Sequence, residues 1–335
     1  MQRMPVFDLQ RPASIAEAAA LLVAAPGAQL LAGGTDLLPR MRRGIDRPPV
    51  LVDLGAVREF GQIVCTQAGL TLGAGVTLAQ LALDARVAAQ YTAIAEATRT
   101  IAGPGHRSIA TVGGNLCLDT RCVFYNQSEW WRAANGFCLK RGGEICHVAP
   151  QGKHCHAAYC ADLAPALLAL RAEVELVSAR ATRRIALSEL YRDDGAAHLT
   201  LARDEVLACV RVPTPPPALV SGYRKARVRA AIDFPLAGVA CAVAVRAGVL
   251  AELRVALTGT NSRPFVLGGT EALLGQAVNA DTLSALAKLV QKQVSPMRTT
   301  VTQANYRRQV AAALACRLVR DLAQGHPPTT REGKA

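Results

Sequence analysis

The sequence predicts an α+β protein with a larger amino-terminal domain and a smaller carboxy-terminal one. Its 335 residues exceed the roughly 250 that one hydrophobic core usually serves, so more than one domain is expected. Short strand-like segments alternate with alanine- and leucine-rich helical segments over the first 212 residues. The segment Pro213-Thr-Pro-Pro-Pro217 then forms a stiff, extended break, which is the best domain boundary in the sequence.

The elements of the first domain follow from capping residues, glycine turns and apolar alternation. One capping box at Ser14–Glu17 begins a helix to about residue 24. A second at Thr77–Gln80 begins helical sequence that runs to about residue 101. Strands are predicted at 29–32, 50–54, 62–66, 69–73, 173–177, 182–187 and 205–212, with helices at 37–43 and 162–170.

Residues 119–156 differ in character from the sequence around them. They hold both tryptophans and three of the six histidines but almost no aliphatic periodicity. Because regular sequence resumes at residue 162, this segment is predicted to be an insert that interrupts the first domain.

The second domain is predicted to combine an antiparallel sheet with helices. Its strands are expected at 220–226, 237–246 and 249–258, with Ala247-Gly248 as a tight hairpin connection. Helices are expected near 267–275, 281–294 and 302–321. The polar segment 325–335 reads as a loose tail.

The charge balance suits an acidic partner but does not choose one. Thirty-eight basic and 25 acidic residues leave a net charge of +13, which fits a solvated basic surface, a phosphate-bearing cofactor or an acidic carrier protein. The basic clusters lack the interleaved aromatic side chains of single-strand binders, so nucleic acid is not expected as a partner.

Targeting signals are also missing from the pattern. The amino terminus has no apolar core of the secretory type, and the longest apolar run, 235–245, is about half of a membrane span. A cytoplasmic protein with no membrane partner is therefore expected. In that reducing compartment the ten cysteines predict metal ligands or core residues rather than disulfides.

Two glycine pairs predict a phosphate-binding site. Ala32-Gly33-Gly34-Thr35-Asp36 follows a strand, and Thr111-Val112-Gly113-Gly114-Asn115 follows a helix. Glycine lets backbone amides approach phosphate oxygens, and a row of such amides forms an anion nest. Together the loops could hold a pyrophosphate, with Asp36 and Asp162 accepting from ribose hydroxyls. The sequence lacks both G-x-G-x-x-G after a strand and G-x-x-x-x-G-K-[ST], so neither a Rossmann domain nor a P-loop is expected.

Six of the ten cysteines fall between residues 117 and 160, and their spacing leaves two interpretations open. Cys122, Cys138, Cys146 and Cys155 could hold a 4Fe-4S cluster through four thiolates. Alternatively, the pairs Cys117-x4-Cys122 and Cys155-x4-Cys160 could form a zinc knuckle. No nucleophile elbow or His-Glu-x-x-His motif is present, so no catalytic residue of its own is assigned to the chain.

These motifs, in this order, resemble a known family. Leu30-Leu-Ala-Gly-Gly-Thr-Asp-Leu37, Ala110-Thr-Val-Gly-Gly-Asn-Leu116 and Ala161-Asp-Leu-Ala-Pro165 are similar to the FAD-binding medium subunits of the xanthine oxidase family of molybdenum enzymes. The insert, with Asn126-Gln-Ser-Glu-Trp-Trp-Arg132 and Cys146-His-Val-Ala-Pro150, resembles the 4-hydroxybenzoyl-CoA reductase branch of that family. Most members lack the insert, which places Cys117 and Cys160 on the common scaffold.

The resemblance implies a fold and a set of site residues. The fold would be a two-subdomain FAD-binding domain of the PCMH/vanillyl-alcohol-oxidase type at 1–215, split near residue 57 and with the insert at about 119–158. A carboxy-terminal α/β domain with a three-stranded antiparallel sheet would follow at 216–324. The FAD diphosphate would be gripped by Leu30, Leu31, Ala32, Gly33, Gly34, Thr35, Asp36, Leu37, Thr111, Gly113, Gly114 and Asn115. The remaining FAD contacts would come from Ile101, Ala102, Asp162, Val206, Leu207, Tyr223 and Arg224.

The same resemblance implies a role in electron transfer. Cys122, Cys138, Cys146 and Cys155 would bind the 4Fe-4S cluster. Electrons would pass from a ferredoxin through the cluster and FAD to 2Fe-2S clusters on a small subunit and a molybdenum cofactor on a large one, in a dimer of heterotrimers. There 4-hydroxybenzoyl-CoA would be reduced to benzoyl-CoA during anaerobic aromatic degradation. The alternatives are a hydroxylase subunit that uses NAD or quinone and, in another class, a basic zinc-binding interaction module.

Overall fold

The computed structural model describes residues 4–298 and 302–325. The helices are α1 (Ile15–Ala24), α2 (Leu37–Arg42), α3 (Leu78–Leu83), α4 (Ala85–Gln90), α5 (Thr92–Thr100), α6 (Pro104–Arg107), α7 (Val112–Leu116), α8 (Glu129–Ala134), α9 (Leu163–Ala169), α10 (Ala280–Gln293) and α11 (Ala304–Ala323). The strands are β1 (Asp8–Gln10), β2 (Gln29–Leu31), β3 (Val50–Asp53), β4 (Ile63–Thr66), β5 (Gly69–Gly73), β6 (Glu173–Val177), β7 (Thr182–Ala186), β8 (Val206–Pro213), β9 (Val220–Ala226), β10 (Ala237–Arg246), β11 (Val249–Thr258) and β12 (Phe265–Val266).

The strands form three sheets. The first is small and parallel, in the order β1-β3-β2. The second is antiparallel with five strands in the order β4-β5-β8-β6-β7, and the insert lies in the chain between its strands β5 and β6. The third is antiparallel with the order β12-β11-β10-β9. The first two sheets precede the proline-rich segment, and the third follows it.

Helices α9 and α5 both join the two halves of the molecule, since α5 packs against β9. Every residue of α9 is buried, and α9 contacts β10 and β11 as well as α5. The third sheet divides its side chains between two cores, as the twofold period of a strand requires. Ala240 and Ala242 face the larger core with the first two sheets, whereas Cys241 and Val243 face the core formed with α10 and α11.

Most predicted elements are present, and the predicted hairpin has the expected turn. Ala247 and Gly248 both have positive φ, 47° and 79°, which is the conformation of a type I′ turn between antiparallel strands. The predicted capping boxes also begin helices: Ser14 accepts the amide of Glu17, and Thr77 exchanges hydrogen bonds with Gln80. The loose tail predicted for 325–335 lies, beyond Gly325, outside the described residues.

Three element predictions were wrong in detail. The helical sequence from 77 to 101 is split into α3, α4 and α5, because the Asp84 carboxylate accepts the amides of Arg86 and Val87 and so begins a new helix. The helix expected near 267–275 is only a 3₁₀ turn at Thr270–Leu273, since glycines of positive φ flank it. The third sheet has four strands rather than three, because the two-residue β12 pairs with β11.

Across residues 4–298 and 302–325, no helix combines the length and apolar character needed to cross a bilayer.

Candidate functional site

The first glycine pair forms an open loop between β2 and α2. Gly34 has φ of +68°, and a β-carbon at Gly33 would overlap the carbonyl oxygen of Ile109. The loop therefore lies directly against the segment that leads into the second glycine pair. Within the described part of the chain, the amides of Gly34, Thr35 and Asp36 donate to no acceptor. Consecutive free amides of this kind suit the oxygens of a phosphate group.

The second glycine pair differs from the prediction because it is helical. Thr111 begins α7 and its hydroxyl accepts the amide of Gly114 at 3.1 Å, while the amides of Val112 and Gly113 donate to the carbonyl oxygens of Val76 and Ala74 in the turn after β5. These amides already have acceptors and form no open nest in this structure, and the FAD contacts predicted for the second glycine pair stay predictions. Helix α7 presents an exposed Gly114, which has no β-carbon, and the side chain of Asn115. The side-chain oxygen of Asn115 accepts the backbone amide of Leu163 at 3.3 Å, which leaves its side-chain nitrogen as a donor.

A buried ion pair lies between the two halves of the molecule. The Asp162 carboxylate accepts from the Tyr223 hydroxyl at 2.6 Å and pairs with Lys225 Nζ at 2.9 Å. Both charged side chains are almost fully buried, at 4% and 2% exposure. Burial raises the pKa of Asp162, although Lys225 and Tyr223 oppose that shift. The Tyr223 amide also donates to Glu96 at 2.7 Å, which holds β9 against α5.

Strand alternation separates Arg224 from Tyr223. Arg224 points to the other face of β9, where its guanidinium pairs with Asp321 at 2.6 Å. Lys225 is therefore the cation that shares a face with Tyr223, and the sequence reasoning missed it. The twofold period of the strand is the signal that would have found it. The FAD contacts predicted for Tyr223 and Arg224 stay predictions.

The other predicted FAD residues lie in or beside the larger core. Val206 and Leu207 are buried at the start of β8, with 1% and 5% exposure. Ile101 is also buried, and Ala102 has φ of 45°, which bends the chain after α5. Residues 30–37 are half-buried along the loop. Their predicted cofactor contacts stay predictions.

Four cysteines converge in the insert. Cys122, Cys138, Cys146 and Cys155 line one pocket, hereafter the cysteine pocket, whose remaining wall is Phe124, Tyr125, Leu139, Lys140, His147 and Ala157. Cys122, Cys146 and Cys155 are buried, with 5–8% exposure, and Cys138 is half-buried. Residues far apart in sequence, with no regular helix or strand between most of them, have thus been brought to one place.

Two of these cysteines lie where the insert joins the main fold. The insert leaves and returns through one antiparallel bridge, hereafter the neck, in which Arg121 and Ala158 exchange hydrogen bonds of 2.7 and 2.8 Å. Cys122 and Cys155 lie beside this neck. The Cys155 carbonyl accepts the amide of Gly195 at 2.7 Å, which anchors it to the first domain.

The other two cysteines lie on a small outer loop. The amide of Leu139 donates to the carbonyl of Ile145 at 3.0 Å, and this contact brings the neighbouring Cys138 and Cys146 together. Gly143 turns the chain between them, and a β-carbon there would meet backbone atoms at 2.7–2.8 Å. The loop therefore requires glycine at this position.

Hydrogen bonds and burial act in opposite directions on the pKa values of these thiols. The Ala157 amide donates to Cys155 Sγ at 3.4 Å, and the amides of Phe124 and Tyr125 point to Cys122. Burial nevertheless raises the pKa of Cys155 to about 11. A thiolate in such surroundings needs a cation to stabilise it, and iron ions provide one.

The pocket contains the four cysteines of the cluster interpretation but not all four of the zinc knuckle. Cys117 and Cys160 do not line it; Cys160 lines a second cleft with Phe234 and Arg307, and Cys122 lines both. In residues 4–298 and 302–325, no three His, Cys, Asp or Glu side chains converge closely enough for a single metal ion. Zinc with Zn–S bonds of about 2.3 Å needs its sulfurs about 3.8 Å apart. A 4Fe-4S cluster binds each cysteine through a different iron, so the sulfurs stand further apart.

A network of partly buried ion pairs, hereafter the charge network, connects the cysteine pocket with the first glycine loop. Its members are Asp36, Arg40, Asp46, Asp119, Arg121 and Lys140. Lys140 Nζ lies 2.6 Å from Asp119, whose second oxygen lies 3.1 Å from Arg40. Arg40 also pairs with Asp36, as does Arg121 of the neck. Asp36 was predicted to accept from a ribose hydroxyl, but in the structure its carboxylate pairs with Arg40 and Arg121.

His198 lies beside this network and predicts a pH dependence of stability. Its Nε2 lies 3.0 Å from the carbonyl of Leu118, and burial lowers the pKa of His198 to about 4. The unfolded chain has a histidine pKa of about 6.5, so the neutral form stabilises the fold above that pH. We expect the free energy of unfolding to fall by about 3 kcal/mol between pH 6.5 and pH 4 on this account.

Thermal unfolding of wild type and His198→Gln across this pH range checks the prediction. Glutamine keeps a donor for the carbonyl but does not titrate, so the difference between the two proteins should vary with pH. His106→Gln, at an exposed position, serves as the matched control and should follow wild type. Parallel pH profiles for His198→Gln and wild type would contradict the assignment.

Comparison with known families accounts for nearly the whole chain. Residues 5–215 match the FAD-binding domain of molybdopterin dehydrogenases, and residues 221–322 match the carboxy-terminal domain of CO dehydrogenase flavoproteins. The aldehyde oxidoreductase FAD-binding subunit PaoB of Escherichia coli K12 is 33% identical over 295 residues, which cover 85% of this chain and 91% of PaoB. The carbon monoxide dehydrogenase medium chain of Afipia carboxidovorans is 28% identical over 319 residues, 93% of this chain and 95% of that protein.

A solved structure confirms the predicted fold. Reconstituted CO dehydrogenase from Oligotropha carboxidovorans superposes with a TM-score of 0.79 at 25% identity, over 96% of this chain and 99% of that one. The α+β arrangement of an FAD-binding domain and a smaller carboxy-terminal domain is thereby established. The fold, the two domain matches and the identity to PaoB lead to one conclusion: the chain belongs to the FAD-binding medium subunits of the xanthine oxidase family of molybdenum enzymes.

Proposed function

We propose that the chain is the electron-transfer subunit of a molybdenum hydroxylase and binds both FAD and a 4Fe-4S cluster. The observation that carries the proposal is the convergence of four cysteines on one buried pocket within an FAD-binding domain. Substrate chemistry belongs to a partner subunit in this proposal, since we identify no catalytic constellation among residues 4–298 and 302–325.

The first glycine loop supports the FAD part of the proposal. The free amides of Gly34, Thr35 and Asp36 would receive oxygens of the diphosphate, and the exposed Gly114 of α7 would allow close approach from the other side. FAD, when bound, accepts and passes on electrons; the protein holds and orients it.

The cysteine pocket supports the cluster part. Four thiols match the four irons, one cysteine to each, and three of the four cysteines are buried, at 5–8% exposure. Amides that donate to sulfur and the degree of burial both set the potential of such a cluster. The neck then places the pocket beside the charge network that leads to the glycine loop.

Partners follow from the family. We propose a large subunit with the molybdenum cofactor and a small subunit with 2Fe-2S clusters, assembled as a dimer of heterotrimers. The relatives found are subunits of aldehyde oxidoreductase, xanthine dehydrogenase and carbon monoxide dehydrogenase. They support an oxidative hydroxylase that passes electrons from the molybdenum site outward through FAD to NAD or quinone. Because the chain belongs to this family, we do not propose the alternative of a basic zinc-binding interaction module.

The reductive direction is the second candidate. In the 4-hydroxybenzoyl-CoA reductase type of reaction, ferredoxin would supply electrons through the cluster to FAD. None of the relatives reported above carries that activity in its name, so the comparisons do not favour it. The cysteine pocket supports the reductive direction, because a cluster bound there would provide a second entry point for electrons to the flavin.

Cofactor analysis of the purified complex tests the proposal. We expect one FAD and about four irons with four acid-labile sulfides per chain, beyond those of the 2Fe-2S subunit. A complex with flavin but only the iron of the small subunit would remove the cluster from the proposal. Zinc in place of iron would do the same.

Anaerobic electron-donor assays separate the two directions. The hydroxylase interpretation expects bleaching of the flavin by an aldehyde, purine or other oxidisable substrate, and reoxidation by NAD or a quinone. The reductase interpretation expects preferential reduction by dithionite-reduced ferredoxin, with a rate that falls as salt screens the basic surface.

A further inference from the structure

One wall of the cysteine pocket carries a buried positive charge. Lys140 lines the pocket, and its side chain is only 5% exposed. Its ammonium group donates to Asp119 at 2.6 Å and to the Thr120 hydroxyl at 2.6 Å, and it lies 4.5 Å from the centre of the Tyr125 ring. A lysine is almost never buried so completely unless it is paired, and Asp119 is the partner of Lys140.

Of the Lys140–Asp119 ion pair, only the positive member lines the cysteine pocket. Asp119 is absent from the pocket wall and pairs with Arg40 as well as with Lys140. Burial alone would raise the pKa of Asp119, but Lys140 and Arg40 outweigh burial and the pKa is lowered. The carboxylate is therefore ionised. Of this pair, the cation is the member that lines the cysteine pocket, and the carboxylate does not line it.

A fixed charge in this position acts on whatever the thiolates hold. Reduction adds one electron to a cluster, and a nearby cation stabilises the more negative, reduced form. The effect is large where water is excluded, because the interior screens charge less than solvent does. Net charge and hydrogen bonding near the sulfurs are among the factors that set cluster potentials.

We propose that Lys140 raises the reduction potential of the cluster and so matches it to the flavin for electron exchange. This inference rests on the proposed function, since it requires a cluster at Cys122, Cys138, Cys146 and Cys155. Lys140 acts through its charge and not as a ligand, because an ammonium group has no lone pair to give to iron.

Redox titration of the intact complex, followed by electron paramagnetic resonance of the reduced cluster, tests the inference. At the midpoint potential of wild type, we expect the ratio of reduced to oxidised cluster to fall at least tenfold in Lys140→Gln. That change equals a shift of about 59 mV to more negative potential for a one-electron couple. Lys140→Arg keeps the charge and should restore most of the ratio.

Lys153→Gln is the matched control. Lys153 is an exposed lysine of the same insert, where water screens its charge, so its replacement should leave the midpoint unchanged. Equal midpoints for Lys140→Gln and wild type, with full iron content in both, would overturn the inference and leave the proposed function intact.

If Lys140→Gln does not retain iron, a second variant, Asp119→Asn, tests the effect of the Lys140 charge on the midpoint potential. Asp119→Asn removes the compensating negative charge while Lys140 stays, and the midpoint should move to more positive potential. An unchanged midpoint in that variant also overturns the inference. Absence of the cluster from wild type would show already in the iron assay, and would refute both the inference and the proposed function.

Discussion

Replacement of Cys146 by serine is expected to abolish the iron–sulfur cluster and to leave FAD bound. Cys146 is buried at 5% exposure and lies on the outer loop of the insert, joined to the main fold only through the rest of the insert. Loss of one of four thiolates leaves an iron without its protein ligand. Iron and acid-labile sulfide attributable to this chain should therefore fall to background, while the flavin content stays near one per chain.

Cys160→Ser is the matched control for this experiment. Cys160 is equally buried, at 5% exposure, but its thiol donates to the carbonyl of Ala158 and lines the second cleft. Serine can make the same hydrogen bond, so both cofactors should remain. If Cys160→Ser lost the metal and Cys146→Ser kept it, the paired cysteines of the zinc knuckle would be the better ligand set.

Replacement of Gly33 by alanine is expected to weaken FAD binding at least tenfold, which corresponds to about 1.4 kcal/mol or more. The new β-carbon would overlap the carbonyl oxygen of Ile109, and backbone atoms cannot yield as a flexible side chain can. The glycine loop must therefore move away from the segment before α7. This displacement disturbs the free amides of Gly34 and Thr35, which face the proposed diphosphate site.

Flavin fluorescence during dialysis measures the affinity, and thermal unfolding of the flavin-free protein shows whether the fold itself has suffered. Gly61→Ala is the control, because a β-carbon at Gly61 meets no atom within 4 Å. Wild-type affinity in Gly33→Ala would mean that the contact between the two loops is not needed for FAD. A large drop in the unfolding temperature of the flavin-free variant would instead assign the effect to stability.

The order and type of most elements could be predicted because the signals are local. Ser14 and Thr77 mark helix starts through their own hydroxyls, and Ala247-Gly248 marks a hairpin through backbone preference. Local signals also explain the failures. The break between α3 and α4 depends on which of several possible capping residues begins a helix, and in the structure Asp84 does so. A two-residue strand such as β12 is too short to show a period in the sequence.

The candidate site was harder to predict from the sequence than the secondary-structure elements were. The spacing of the six cysteines left two ligand sets open, and the resemblance to the family, not the spacing, chose between them. The structure now brings Cys122, Cys138, Cys146 and Cys155 to one pocket and leaves Cys117 and Cys160 outside it. That distinction depends on how the insert folds back at its neck.

The charge network could not have been predicted at all. Arg40 and Asp119 are 79 positions apart in the chain, and no pattern in the sequence pairs them. The same holds for Lys140, which reads as one more solvated lysine until the fold buries it. Charged residues that meet through long-range packing leave no periodic trace.

The neck at Arg121 and Ala158 has a consequence for how such a protein could arise or be rebuilt. A segment that departs and returns through a single pair of residues can be cut out or transplanted without rerouting the chain around it. The four cysteines all lie within that segment, so the complete ligand set would travel with it. In the proposed function, an ancestor with only a flavin would gain the ligand set of a second electron carrier in one insertion event, and the same cut points define the segment that a designer would transplant.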